Sequence, residues 1–358
     1  MSLLFRCLRA LDEHVNVKVL LRVWGPRLEF TVRLLLAATF LDDSLRLSSH
    51  FAEHTKQVAE QGYLAPLAAS SPGVVAVLAT VILGVGLLAQ SLGSLCLLAL
   101  VQPDGATEAL IAWVIAQPFL YAQLANVEFV AESFSLVGGL LILRAHLAEK
   151  ANRDGRTVPL GGGLLCAADG TACAPEGPGI ARTQLIGRLL LPAVYLYHAL
   201  YLLSNIFHHS LSMFVVNAAV LVGLVLGCML VAAGLRSRAV AFALALINLG
   251  CICYQHPFFR FIWREGGEWK YNEREMRRSM PHVAMPKGIL GEDFEPWQIF
   301  DLHRYFFFQG LSTSGALLLL AQFGPGEIAV QVKEEVLPPK FVPSEMSVEE
   351  DEGLLHEG

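Results

Sequence analysis

The chain has 358 residues, of which 54% are hydrophobic and only 16% charged, with a net charge of −6 and a mean hydropathy of +0.51. Soluble domains carry about 25% charged residues, so the composition excludes an ordinary soluble domain and indicates an all-α polytopic membrane protein. The small acidic excess points to no nucleic acid partner. No zinc-spaced Cys/His cluster, Walker loop or GxGxxG fingerprint is present, so no cofactor or metal is expected.

Residues 1–27 form an amphipathic N-terminal segment. Leu4, Leu8, Leu11 and Val15 recur at helical spacing, with Arg6, Arg9, Lys18 and Arg22 among them. There is no unbroken apolar core and no cleavage site of the signal-peptide kind. The pattern suits a helix lying on an anionic leaflet and equally one docked on the protein itself. The first span, 28–47, is poor in hydropathy, since Glu29, Arg33, Asp42, Asp43 and Arg46 fall within it. Residues 48–72 read as a polar loop. Further spans follow at 74–101, 106–122 and 127–147. A Gly/Pro-rich connector, 149–183, holds Lys150, Arg153, Arg156, Arg182, Cys166 and Cys173.

The second half repeats the plan, with spans at 185–206, 211–234, 239–256 and 301–323. The last span starts with aromatics and stops at Gly324-Pro325-Gly326, residues that cannot continue a helix. Cys251 and Cys253 read as packing residues in an apolar span. The tail, 327–358, is acidic and is expected to be disordered. Two stretches align between the halves. Ser135-Leu-Val-Gly138-Gly139 matches Ser312-Thr-Ser-Gly315-Ala316, and Arg33-Leu-Leu-Leu-Ala-Ala38 matches Arg188-Leu-Leu-Leu-Pro-Ala193. The chain is thus read as about eight transmembrane helices in two four-helix pseudo-repeats, 28–148 and 184–326. Small residues at helix crossings would produce some of the same likeness.

Eight spans put both termini on one side, and the cations of the N-terminal segment, the connector and Arg236/Arg238 place that side in the cytosol. The insertion 257–300 falls on the lumenal side. It carries seven Lys/Arg and seven Asp/Glu, with Phe258, Trp263, Trp269 and Trp297, and reads as a folded excursion or a surface-lying helix. Ionisable residues then collect at the lumenal end. Asp42 and Asp43 end the first span. Glu128 and Glu132 lie one turn apart on one face of the fourth, where they repel unless one is protonated or paired. Tyr197, His198, Tyr201 and Asn205 stand on the fifth span, with His208 and His209 nearby. Tyr305 and Gln309 begin the last. In the alignment Asp42 and Asp43 fall opposite Tyr197 and His198, and Glu132 opposite Gln309. These residues are expected to line a half-acidic, aromatic cavity open to the lumen. It would take a positive group flanked by apolar side chains, such as the free amine of a peptide. Internal neutralisation is the competing expectation, Arg46 closing on Asp42 or Asp43 and Arg304 on Asp301. His208-His209 lacks a third ligand at a suitable spacing and is read as an interfacial pair.

Thr39-Phe40-Leu41-Asp42-Asp43, Leu136-Val-Gly138-Gly139-Leu-Leu, and Tyr305-Phe306-Phe307-Phe308-Gln309 running to Phe323-Gly324-Pro325-Gly326 resemble the surfeit locus protein 4 family of endoplasmic-reticulum cargo receptors. The resemblance covers about 28–330. It implies a non-enzymatic receptor that binds soluble secretory cargo in the endoplasmic-reticulum lumen, often through a signal near the cargo's mature N-terminus. It further implies vesicle coat components as partners and cycling to ER–Golgi intermediates and the Golgi. Asp42 and Asp43 match the family's acidic pair after Thr-Phe-Leu. The family commonly ends in a lysine cluster for retrieval; this chain ends Leu354-Leu355-His356-Glu357-Gly358, so retrieval by that route is in doubt. The two insertions are also larger than the family's usual connectors. Partners are therefore secretory cargo, coat components, the bilayer and, as an open case, a second copy of the chain. Two other classes compete. One is a small-molecule or proton-coupled transporter or redox-linked membrane subunit, using the buried carboxylates and histidines. The other is a lipid-handling protein, using the amphipathic N-terminus and aromatic rims.

Overall fold

A computed structural model of the chain describes residues 25–61, 63–68, 71–153, 178–205, 211–266, 268–278, 296–326 and 328–330. The amphipathic segment before residue 25, Cys166 and Cys173, His208-His209 and the tail beyond residue 330 lie outside them.

Apolar runs bounded by Pro and Gly become long helices. They are α1 (Gly25–Ser49), α4 (Pro72–Ala99), α5 (Pro103–Leu120), α6 (Val127–Arg153), α7 (Pro178–Leu190), α8 (Ala193–Asn205), α9 (Leu211–Ala233), α10 (Ser237–Gln255) and α12 (Pro296–Phe323). Pro72 and Pro103 start α4 and α5, where a missing N–H costs nothing. The chain is an all-α polytopic membrane protein. Among the described residues, five stretches are long and apolar enough to cross a membrane: Pro72–Ala99, Gly179–Ser204, Met213–Ala233, Ser237–Arg260 and Ile299–Phe323. The remaining long helices, α1, α5 and α6, fall outside that set, and each carries charged residues, such as Asp42 and Asp43 on α1, Asp104 and Glu108 on α5 and Glu128 and Glu132 on α6.

Three local features differ from the sequence reading. The expected loop at 48–72 contains α2 (Phe51–Gln61) and the short α3 (Ala65–Ala68). On α2, Val58 and Ala59 are buried against Val75, Ala79 and Leu83 of α4, while Glu53, Lys56 and Glu60 stay exposed. The span expected at 185–206 is one membrane-crossing stretch, Gly179–Ser204, but its helix is interrupted between α7 and α8, because Pro192 has no N–H to continue the ladder. Hydrogen bonds resume on either side, Leu191 N to Gly187 O at 2.9 Å and Leu196 N to Pro192 O at 3.0 Å. Cys251 and Cys253, read as packing residues, lie exposed on α10.

The insertion begins with a 3-10 turn, Phe258–Arg260, then a hairpin of β1 (Ile262–Glu265) and β2 (Glu268–Tyr271), then α11 (Glu273–Arg278). The strands are antiparallel, with Ile262 opposite Tyr271 and Glu265 opposite Glu268. Gly266 makes the turn at φ +63°, a backbone region that glycine enters without strain. Phe261 and Met276 pack with Ile299 of α12 in a small core of their own. His303 of α12 completes the docking. Its Nε2 lies 3.2 Å from Met276 O. A carbonyl only accepts, so Nε2 carries the proton. His303 Nδ1 then accepts from His256 Nδ1–H at 3.1 Å.

α6 and α12 run side by side at the centre, and each is wrapped by the other half's first helix. α1 packs along α12, and α7 and α8 pack along α6. Small residues set these distances. A β-carbon on Gly139 would sit 2.6 Å from Ala316 Cβ, so α6 and α12 touch there. One on Gly138 would meet Leu191 N at 2.6 Å and Gly187 O at 2.7 Å, and one on Gly315 would meet Leu36 N at 3.2 Å and Val32 O at 3.3 Å. Ser135 Oγ accepts from Val194 N at 3.0 Å, and Ser312 Oγ meets Thr39 Oγ1 at 2.7 Å. Two buried arginines close helix ends away from the acids. Arg33 donates to Leu98 O at 3.0 Å at the end of α4. Arg188 donates to Ala232 O at 3.1 Å at the end of α9, and also to Pro325 O and Ile328 O. Such arginines satisfy carbonyls that helix ends leave open.

Candidate functional site

Asp42 and Asp43 of α1 are buried and internally paired. Asp42 Oδ1 accepts from Arg304 Nε of α12 at 2.5 Å. Asp43 Oδ1 accepts from Arg46 Nη2 at 2.6 Å, one turn along the same helix. Arg46 also reaches Asp301 at 3.6 Å. The sequence had offered Asp301 to Arg304; α1 and α12 lie so close that Arg304 takes Asp42 instead. Asp43 Oδ2 accepts from Gln117 Nε2 of α5 at 2.8 Å. With its amide oriented to satisfy both neighbours, Gln90 of α4 donates to the same oxygen at 2.7 Å and accepts from Trp113 Nε1 at 2.7 Å. Gln90, Trp113 and Gln117 were missed in the sequence. A lone amide inside an apolar run was the available signal, because such a group needs a partner in the membrane.

The other acids stand in a different setting. Glu128 accepts from Tyr197 Oη across the α6–α8 contact, at a long 3.4 Å. Glu132, one turn further into the bundle, is buried, and its Oε2 has no hydrogen-bond partner. Neither acid has a salt bridge among the described residues. Tyr305 joins the two settings. It stacks on Phe129 with centroids 6.2 Å apart, lies under the Arg46 guanidinium at 5.3 Å, and is within electrostatic reach of Glu132, Glu128 and Asp43.

The structure thus brings Asp42, Asp43, Glu128, Glu132, Tyr197 and Tyr305 to one end of the bundle. Gln309 is buried on α12, four residues beyond Tyr305. His198 and Tyr201 are exposed on α8, with the His198 ring 5.4 Å from that of Tyr197. Asn205 ends α8. Among the described residues no group of three His, Cys, Asp or Glu is placed to hold a metal ion. His54 of α2 stands beside this end, edge-on to Tyr121 at 5.9 Å. Burial, then the nearby Arg46 charge, lowers its pKa from the ordinary 6.5 to about 4.

The acidic pair after Thr39-Phe40-Leu41 falls within a matched segment. Residues 12–162 match the SURF4 family. It is the family that the sequence motifs resemble, and the matched segment takes in α1 to α6 and so includes Asp42, Asp43, Glu128 and Glu132. No solved structure matches the chain. Asp42 and Arg46 of the matched segment meet Arg304 and Tyr305, which lie outside it, so the acidic end is assembled from both parts of the chain.

Proposed function

We propose that the chain is a transmembrane cargo receptor, which binds soluble secretory proteins in the endoplasmic-reticulum lumen and promotes their packaging into Golgi-bound vesicles. One observation carries the reading. Five carboxyls and two guanidiniums gather at one end of the bundle: Asp42, Asp43 and Asp301 pair with Arg304 and Arg46, Glu128 and Glu132 pair with neither, and exposed or half-buried aromatic groups stand beside them. That end has negative potential to spare for a cationic group flanked by apolar side chains. The SURF4-family match supports the same class. Vesicle coat components are the cytosolic partners on this reading. The protein resides in the endoplasmic reticulum and cycles to ER–Golgi intermediates and the Golgi.

The receptor has eight spans in two four-helix repeats, both termini being cytosolic. Corresponding contacts support the duplication. Gly138 lies on Gly187 and Leu191, while its counterpart Gly315 lies on Val32 and Leu36, the counterparts of those two residues. Ser135 meets residue 194 as Ser312 meets residue 39, and Arg33 and Arg188 close equivalent helix ends. α1, α5 and α6 cross on this reading with charges satisfied within the bundle, Asp42 on Arg304, Asp43 on Arg46, Glu108 on Arg144 and Arg33 on Leu98 O. A lipid-handling role has one observation in its favour, an apolar groove of about 360 Å³ between α4 and α5, lined by Val85, Leu88, Leu92 and Cys96 among others.

Depletion followed by quantitative proteomics of the medium tests the receptor. A small set of secreted proteins should fall several-fold with bulk secretion intact, and the full chain should restore them. An unchanged secretome, with lipid transfer to liposomes by the purified chain, would replace the receptor with the lipid reading.

A further inference from the structure

Glu132 is an anomaly that the receptor reading leaves open. It is 7% exposed, and one of its oxygens has no partner. A buried ionised carboxylate without a partner is costly, so Glu132 must hold either a proton or a cation. The charged and titratable groups around it do not meet that need. Glu128, on its own helix, is another acid. Tyr197 from α8 is given to Glu128. Tyr305 from α12 is neutral and stacked on Phe129. Arg46 and Asp43 from α1 are closed on each other at 2.6 Å.

Its position gives the missing partner a place. Gly139 and Ala316 hold α6 and α12 in contact. Glu132 and Gln309 each stand seven residues, two turns, before that contact, on the facing sides of the two helices. Phe129 and Tyr305, stacked at an interplanar angle of 16°, stand a further turn out. The carboxyl therefore lies between a glycine floor and an aromatic pair. A carboxylate in such a setting gains a charge-assisted bond from a cation.

Resting on the receptor reading, we propose that Glu132 is a proton-exchanging ammonium site, and that it rather than Asp42 or Asp43 takes the free amine of the ligand. The step balances as an exchange. The ligand arrives as R–NH3⁺, the Glu132 carboxyl loses its proton to the lumen, and a carboxylate–ammonium pair forms. One proton leaves for each ligand bound, so affinity falls as the lumen becomes more acidic. Tyr197 and Glu128 add potential at the entrance, and Gln309 faces the pair from α12.

The test uses the full chain in lipid nanodiscs and two labelled apolar tripeptides, one with a free N-terminus and one N-acetylated. Titration calorimetry in buffers of different ionisation enthalpy counts the protons released. The free tripeptide should bind about tenfold or more tighter than its acetylated twin, release about one proton, and weaken on acidification. Glu132→Gln mimics the protonated carboxyl and should fold as the parent does. It should remove the preference, the proton release and the pH dependence together. Equal binding of the twins, binding of neither, or a Glu132→Gln chain that keeps proton release overturns the site. A cellular arm separates the two proposals. If Glu132→Gln restores the full secretome of depleted cells, the site falls and the receptor stands. If depletion leaves the secretome unchanged while amine-dependent binding persists in nanodiscs, the receptor falls and the site stands.

Discussion

The contact between Asp42 and Arg304 joins α1 to α12 and can be measured directly. The carboxylate side chain is 6% exposed and the guanidinium 24%, at a separation of 2.5 Å. Removing one partner of a fully buried pair costs about 3–5 kcal/mol, most of it the penalty of a stranded charge. Water reaches Arg304 in part, so Arg304→Gln should cost about 2–3 kcal/mol, because it strands the more buried Asp42. Asp42→Asn should cost less, about 1 kcal/mol, because the arginine left behind can turn to solvent. The double variant should be more stable than the sum of the singles predicts, by about 1–2 kcal/mol. Each protein would be unfolded by denaturant titration in a mild detergent, followed by tryptophan fluorescence. Strict additivity would show that the pair contributes nothing, and Asp42 would return as a free ligand for cargo.

Other outcomes follow from neighbouring features. Gly138→Ala places a methyl group 2.6 Å from the backbone nitrogen of Leu191 and should cost about 1–3 kcal/mol. Gly84→Ala meets nothing within 4 Å and should gain up to about 1 kcal/mol of helix propensity; the reverse order in apparent melting temperature would refute the helix contact. For His54, folded and unfolded chains are both neutral above the ordinary pKa of 6.5, but below it the unfolded chain takes up a proton that the fold accepts only near pH 4. Stability should therefore fall as the pH drops from 6.5 to 4. His54→Phe should flatten that part of the melting curve against pH, and an unchanged slope would remove His54 as its source. Cys166 and Cys173 report topology. In intact cells both should be free thiols, as cytosolic cysteines are; a disulfide between them would turn the bundle over and place the acidic end in the cytosol.

Several helix ends were legible, because Pro72, Pro103 and Gly324 punctuate strongly apolar runs, whereas the starts at Pro178 and Pro296 lie ahead of the expected 185 and 301. Helix α2 was not. It is short, and only its buried Val58 and Ala59 distinguish it from a polar loop. The hairpin carried a signal that was passed over, since Trp263 and Trp269 flank Gly266-Gly267 in short strand-forming runs. The acidic residues could be picked out by depth and charge, but their partners could not. Asp42 bonds a residue 262 positions away, and only the packing of α1 on α12 decides between Arg46 and Arg304. The difference between paired Asp43 and unsatisfied Glu132 likewise depends on Gln90 and Gln117, which face only one of them.

The wrapping of each half's first helix around the other half's last has a consequence for synthesis. α1 leaves the ribosome early, yet its main partner, α12, begins only at Pro296. The intervening stretch is about 250 residues, roughly 12–50 s at ~5–20 residues per second. Throughout that interval Thr39 and Asp42 have no Ser312 and no Arg304, and α1 has α4 as its chief partner, through contacts such as Arg33 to Leu98 O. Any truncation before Pro296 would leave the Asp42 carboxylate without its arginine permanently.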